Sequence, residues 1–287
     1  MSTTADSAAR PRHPRLDTLR VLLRSPTFVV GVVIVAFWVL CAIFGPHIVP
    51  LDPYASDPLN SLTPPDRVHW FGTDQLGRDV FSRVIVGARD ILTIAPLATL
   101  AGTLAGTALG LFVGYFGGWV DNVVGRAIDA LLALPLVIVA LLALAAVGAS
   151  NATVILVIGI TFTPITARTV RAAVLAERHL DYVAAAQLRG ENALYIMFAE
   201  ILPNVLPPIA VEANVRLGYA IFAVATLSFL GFGIQPPSAD WGLALSESYT
   251  LMAGGAWWTV VFDALAIATL VVGVNLIADS VQGVLDR

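Results

Sequence analysis

The 287-residue chain contains no lysine, and all sixteen of its basic residues are arginine. A Walker A phosphate loop needs its lysine to reach the nucleotide phosphates. This polypeptide therefore does not hydrolyse ATP through such a loop. Schiff-base chemistry also requires a lysine amine and is excluded for the same reason.

Charged residues are scarce as well, at 13% of the chain, whereas hydrophobic residues make up 57%. A soluble domain has roughly 25% charged and 45–50% apolar residues, so the composition is typical of a membrane protein. The only cysteine, Cys41, excludes an internal disulfide. The four histidines are scattered without ligand spacing, and no metal site is expected. The sequence also contains no recognisable nucleophile–histidine–acid motif, which disfavours a membrane enzyme.

Six apolar segments each approach the ~20 residues needed to cross ~30 Å of hydrocarbon. These predicted spans are Phe28–Val49, Ile91–Phe116, Ala127–Gly148, Ala152–Val170, Val205–Leu230 and Ala256–Ala278. The fifth is interrupted by polar residues, among them Glu212 and Arg216. We expect an all-α polytopic membrane protein with about six transmembrane helices.

Arginine is unevenly distributed between the two sides of these spans. Eleven arginines lie before the first span, between spans two and three, near the loop after span four, or at the C-terminus, whereas four lie in the segment 50–90. The positive-inside rule places both termini and the central loop in the cytoplasm. We therefore predict a cytoplasmic segment 1–27, a first transmembrane helix 28–49, an extracytoplasmic loop 50–90 and a core domain 91–287 with a cytoplasmic loop 171–204.

The central loop is too polar for lipid and is patterned as two short helices. Asp181 is placed to cap the first helix, and Gly190 is placed to end it in the left-handed conformation. The first helix carries a small, flat face made of Ala184, Ala185 and Ala186. Asn192 is placed to cap the second helix, and Pro203 follows it. Two short helices that meet at a glycine form a rigid elbow, and its alanine face is a surface for another protein.

The outer segment 50–90 begins rich in proline and ends in an amphipathic pattern. The apolar residues Val80, Phe81, Val84 and Ile85 share one helical face. Asp79 is spaced to pair with Arg83, and Gly87 is placed to end the helix. The pattern predicts a short amphipathic helix on the outer membrane surface. The tryptophans, including Trp241, are expected to anchor the chain at the membrane interface.

Three motifs resemble those of ABC-importer permeases. In the central loop, Ala185, Ala186, Gly190, Leu202 and Pro203 fall in register with the "EAA" pattern. Ala184 stands where that pattern has an acid, and Asp181 and Glu177 are the two candidates to replace it. The segments Phe71–Asp79 and Leu227–Pro237, the latter followed by Trp241-Gly242, are similar to the C-type permeases of dipeptide, oligopeptide and nickel importers. The resemblance covers about residues 46–287.

This resemblance implies a subunit that transports short peptides without a cofactor of its own. The implied partners are a second permease, two ATPase subunits that bind ATP and Mg²⁺, an extracytoplasmic solute-binding protein and membrane lipid, with no nucleic acid. The implied location is the bacterial inner membrane. The residues that would couple to the ATPases are Asp181, Tyr182, Ala184, Ala185, Ala186, Gly190, Leu202 and Pro203.

Several alternatives stay open from the sequence. A nickel or other small-solute importer would share this architecture, and a proton-coupled carrier would need a midplane acid, for which Glu212 is the candidate. Glu212 and Arg216 form either a polar patch on the translocation path or a mutually neutralising pair. A glycine ladder on the second span contacts either the same subunit or a partner permease. Its members are Gly102, Gly106, Gly110 and Gly114.

Overall fold

The computed structural model describes residues 21–285, and the regular elements of that part of the chain are all helices. They are α1 (Pro26–Ile48), α2 (Val80–Phe116), α3 (Gly118–Leu132), α4 (Leu136–Val147), α5 (Asn151–Glu177), α6 (Asp181–Leu188), α7 (Ala193–Phe229), α8 (Trp241–Ser248) and α9 (Trp258–Leu285), with 3₁₀ turns at Pro58–Asn60 and Tyr249–Gly254. Most of the predicted segment 1–27 lies outside the described residues, as does Arg287.

Five of these helices, namely α1, α2, α5, α7 and α9, are long and apolar enough to cross a membrane. The consecutive helices α3 and α4 would make a sixth span, but they are bent by 87°. The all-α polytopic prediction is therefore confirmed, and the predicted third span, Ala127–Gly148, is divided between two helices. The break lies at Pro135, which has no N–H for a helical bond and disfavours the helical conformation in the residue before it.

Helix α2 begins at Val80 and continues through Gly87 to Phe116. The prediction of a separate surface helix that ends at Gly87 is therefore wrong. Val80 and Val84 are buried against protein. A Cβ on Gly87 would lie 2.2 Å from the carbonyl oxygen of Ala239, so glycine is present here because another backbone comes close.

The glycine ladder of α2 packs against α5 of the same chain. A Cβ on Gly106 would lie 2.5 Å from Cβ of Thr166, and one on Gly110 would lie 2.7 Å from Cβ of Val170. Gly102 and Gly114 meet α5 in the same way. Small residues on one face let two helices approach closely enough for backbone contact. The structure therefore places the ladder inside the subunit rather than against a partner.

Two buried apolar clusters hold the helices together. The larger cluster joins α1, α2, α4, α5, α7, α8 and α9, with Trp241 fully buried within it. The smaller one, called the inner cluster below, lies beside α6 and includes Leu111, Val174, Val183 and Ile201. Helix α6 is therefore built on the ends of α2, α5 and α7.

Candidate functional site

The end of helix α6 is closed by two backbone hydrogen bonds around Gly190. The φ angle of Gly190 is +77°, and its N–H donates to the carbonyl of Gln187 at 3.0 Å. The N–H of Glu191 donates to the carbonyl of Ala186 at 3.2 Å. This pair of bonds is the Schellman motif, which favours glycine because a Cβ resists the left-handed conformation. The predicted role of Gly190 at the end of the helix agrees with this geometry.

The start of α6 is held by Tyr182 rather than by Asp181. Leu180 precedes the helix and makes no side-chain capping bond, and Asp181 is the first helical residue, so the predicted capping by Asp181 is wrong. The hydroxyl of Tyr182 donates to Oε2 of Glu177 at 2.7 Å. Burial, together with this bond to a carboxylate, raises the pKa of Tyr182 to about 12. The hydroxyl keeps its proton at neutral pH, and the bond ties α6 to the end of α5.

The three alanines of α6 lie in different environments. Ala186 is fully buried beside Val183 in the inner cluster, because residues three apart share a helical face. Ala184 and Ala185 are exposed, and Leu188 is 90% exposed. We call Ala184, Ala185 and Leu188 the elbow surface. Of the three alanines predicted to form one face, Ala186 therefore packs in the interior, and only Ala184 and Ala185 lie on the surface.

The predicted second short helix is the beginning of a membrane span. Oδ1 of Asn192 accepts the N–H of Tyr195 at 2.8 Å, which agrees with its predicted capping role. The helix then continues to Phe229, so its prediction as a short element is wrong. The turns over Ile196–Ile201 are π-helical. This wider segment ends just before Pro203, which has no N–H to donate to the carbonyl four residues earlier.

The elbow is attached directly to α7. Nη2 of Arg189 donates to Oε1 of Glu200 at 2.8 Å. Leu202 is half-buried against the inner cluster, and Pro203 is exposed. Helix α6 is therefore bonded to α5 at one end and to α7 at the other.

Glu212 and Arg216 form an ion pair near the middle of α7. Nε of Arg216 donates to Oε1 of Glu212 at 2.6 Å, and Oγ1 of Thr169 on α5 donates to Oε2 of Glu212 at 3.3 Å. The side chain of Arg216 is 16% exposed and that of Glu212 is 14% exposed. The ring of Tyr219 lies 4.9 Å from Cζ of Arg216. The pair is thus mutually neutralised and also bridges α5 and α7.

Charged residues of the outer loop motif converge on α8. Nε of Arg78 donates to Oδ2 of Asp74 at 2.6 Å, and its Nη2 donates to Oε2 of Glu247 at 2.8 Å. Nε of Arg83 lies 3.7 Å from Oδ2 of Asp74. Oδ2 of Asp79 instead accepts the N–H of Ser82 and caps α2, so the predicted pairing of Asp79 with Arg83 is wrong. The motif therefore links the outer loop, α2 and α8 into one unit.

The start of α8 is buried in this unit. Nε1 of Trp241 donates to the carbonyl of Val84 at 2.8 Å, and Trp241 is fully buried, so its predicted interfacial role is wrong. Oδ1 of Asp240 accepts the N–H of Leu243 at 2.9 Å and caps α8. Burial raises the pKa of Asp240 to about 6. Sequence reasoning missed Asp240 and Glu247, for which the nearby Trp241-Gly242 motif was the only signal.

Comparison with known families bears on the choice between an importer and a proton-coupled carrier. Residues 106–287 match the family described as "Binding-protein-dependent transport system inner membrane component". The chain belongs to this family of transport permeases. Residues 14–65 of the permease match a second family, described as the N-terminal TM domain of oligopeptide transport permease C. Membership of a binding-protein-dependent family favours an importer over a proton-coupled carrier.

Similar proteins extend over nearly the whole permease. The dipeptide transport system permease protein DppC of Escherichia coli (strain K12) is 40% identical over 286 residues, which cover 98% of this chain and 95% of the relative. DppC of Alkalihalophilus pseudofirmus is 37% identical over 273 residues, covering 95% and 90%. A solved chain of the MetNI methionine ABC transporter matches with a TM-score of 0.57 at 18% identity, covering 70% of this chain and 96% of that one. This last similarity shows the ABC importer permease fold alone.

Proposed function

We propose that this permease is one of two membrane subunits of an ATP-driven importer and that it carries short peptides. The support for peptides comes from relatives named as dipeptide permeases, which share 37–40% identity with the permease over 95–98% of its length. These names favour a peptide over nickel or another small solute. The chain forms part of the path and catalyses no bond chemistry.

The proposed complex contains a second permease, two ATPase subunits and an extracytoplasmic binding protein in the bacterial inner membrane. ATP and Mg²⁺ are held by the ATPase subunits, because this chain has no lysine for a Walker A loop. Both termini and α6 face the cytoplasm, as the arginine distribution favours. The outer loop receives the loaded binding protein.

The observation that carries the coupling role is the attachment of α6. The elbow surface is exposed, while the bonds Tyr182–Glu177 and Arg189–Glu200 fix the same helix to α5 and α7. When ATP binding draws the ATPases together, a force on the elbow surface is transmitted to both spans. A flexible loop at this place would absorb that force instead.

Ala185→Glu tests this role, and Ala185→Ser is the matched control. Because Ala185 is exposed, glutamate leaves the isolated subunit intact, but a docked ATPase would bury an unpaired charge at a cost of several kcal/mol. We expect normal membrane insertion, loss of ATP-driven dipeptide uptake and weaker co-purification of the ATPases for Ala185→Glu. The serine variant should behave as wild type. Wild-type uptake and ATPase stimulation in Ala185→Glu would show that the elbow is not the coupling element.

A further inference from the structure

The guanidinium of Arg216 has hydrogen-bonding capacity that the described part of the chain does not use. Nε donates to Glu212, whereas Nη1 and Nη2 make no hydrogen bond to any described residue. Neither of these two nitrogens is fully buried. One edge of the guanidinium is therefore neutralised and the other edge is accessible.

Both oxygens of the acidic partner in this pair are already hydrogen-bonded. Oε1 of Glu212 accepts from Arg216, and Oε2 accepts from Thr169. The polar groups of the pair that lack any partner among the described residues are thus the Nη1 and Nη2 donors of Arg216. Two parallel N–H donors match the two oxygens of a carboxylate, and the bonds that they form are charge-assisted. The site therefore suits an anion with planar, paired oxygens rather than an ammonium group.

The surroundings of this edge are aromatic and open. Tyr219 lies over Arg216 and is 58% exposed. A guanidinium edge facing hydrocarbon would cost several kcal/mol, so such groups in spans face a polar route or another protein group. An exposed aromatic ring beside a donor pair can contact a small molecule that has an apolar body and an anionic end.

We propose that Nη1 and Nη2 of Arg216 bind the C-terminal carboxylate of a peptide as it passes through the permease. Glu212 orients the guanidinium and keeps the site electrically neutral before the peptide arrives, which lets the peptide leave again. Tyr219 covers the arginine and contacts the body of the peptide. This inference rests on the proposed function, because it names the group of the proposed substrate that α7 recognises.

The test uses proteoliposomes that contain the complete complex, with saturating binding protein and an alanyl dipeptide. Uptake and ATP hydrolysis are measured together for wild type, Arg216→Gln and the paired variant Glu212→Gln/Arg216→Gln. The paired variant leaves no unpaired charge in the span, so it guards against a failure to insert. We expect both variants to keep wild-type ATPase stimulation and to lose about tenfold in dipeptide uptake, the size of one charge-assisted contact.

The same dipeptide with a C-terminal amide provides the second comparison. Because the binding protein is identical in every sample, a change in the free-acid to amide ratio reports the permease. We expect uptake of the amide, relative to the free acid, to rise in both variants. Arg126→Gln, which removes an exposed arginine of α3, should change neither quantity.

Two results would overturn the inference. Uptake that falls only in proportion to ATP hydrolysis would make the ion pair a structural element, and unchanged uptake in the paired variant would remove Arg216 from the path. A wild-type complex that takes up neither peptide would instead overturn the proposed function.

Discussion

Asp240 is a buried carboxylate that titrates unlike an ordinary surface aspartate. Burial raises its pKa from 3.8 to about 6, and its Oδ1 caps α8. The folded chain therefore holds this proton to a higher pH than the unfolded chain. The free energy of unfolding consequently falls as the pH rises from 3.8 to about 6, and the full cost is present above that range.

Asp240→Asn keeps an oxygen for the cap and removes the ionisation. We expect the stability of the variant relative to wild type to be about 2 kcal/mol greater at pH 7 than at pH 4.5. Thermal unfolding of the purified protein at the two pH values measures this. Asp240→Ala, which lacks the capping oxygen, should be about 1 kcal/mol less stable than the asparagine variant at both pH values. Parallel pH profiles for wild type and Asp240→Asn would contradict the prediction.

Helices α2 and α5 approach each other so closely that only glycine fits on the facing side of α2. We expect Gly106→Ala to lower the free energy of unfolding by about 1–3 kcal/mol, because the added methyl group would lie 2.5 Å from Cβ of Thr166. Gly125 on α3 supplies the matched control, since a Cβ there would meet nothing within 4 Å. Gly125→Ala should be neutral or stabilising by up to about 1 kcal/mol. Equal melting temperatures for the two variants would contradict this account of the ladder.

The orientation of the whole molecule is tested by cysteine labelling. In a Cys41→Ala background, a probe at Leu59, which is 97% exposed, should react from outside the cell. A probe at Gln187 on α6 should react only after permeabilisation. The physical reason is the excess of arginine on the side that carries α6. External labelling at Gln187 would overturn both the orientation and the coupling role.

The sequence by itself determined the features that depend on local chemistry. The apolar segments are long enough to span a bilayer whatever they pack against, so the all-α polytopic fold was predictable. Gly190 and Asn192 act on backbone groups within a few residues of themselves, so the end of α6 and the start of α7 were predictable as well. The effect of Pro135 on the third span is equally local, and the hydropathy pattern alone concealed it.

Tertiary structure decided the features that depend on contacts between distant segments. Gly106 has the same sequence signature whether it faces its own subunit or a partner, and only the approach of α5 settles this. Gly87 looked like a helix stop because its close contact, Ala239, belongs to a far part of the chain. Trp241 and Asp240 look like exposed loop residues, but the packing of α8 against α2, α7 and α9 buries them. Packing removed these groups from water, and no pattern along the sequence records which surfaces will meet.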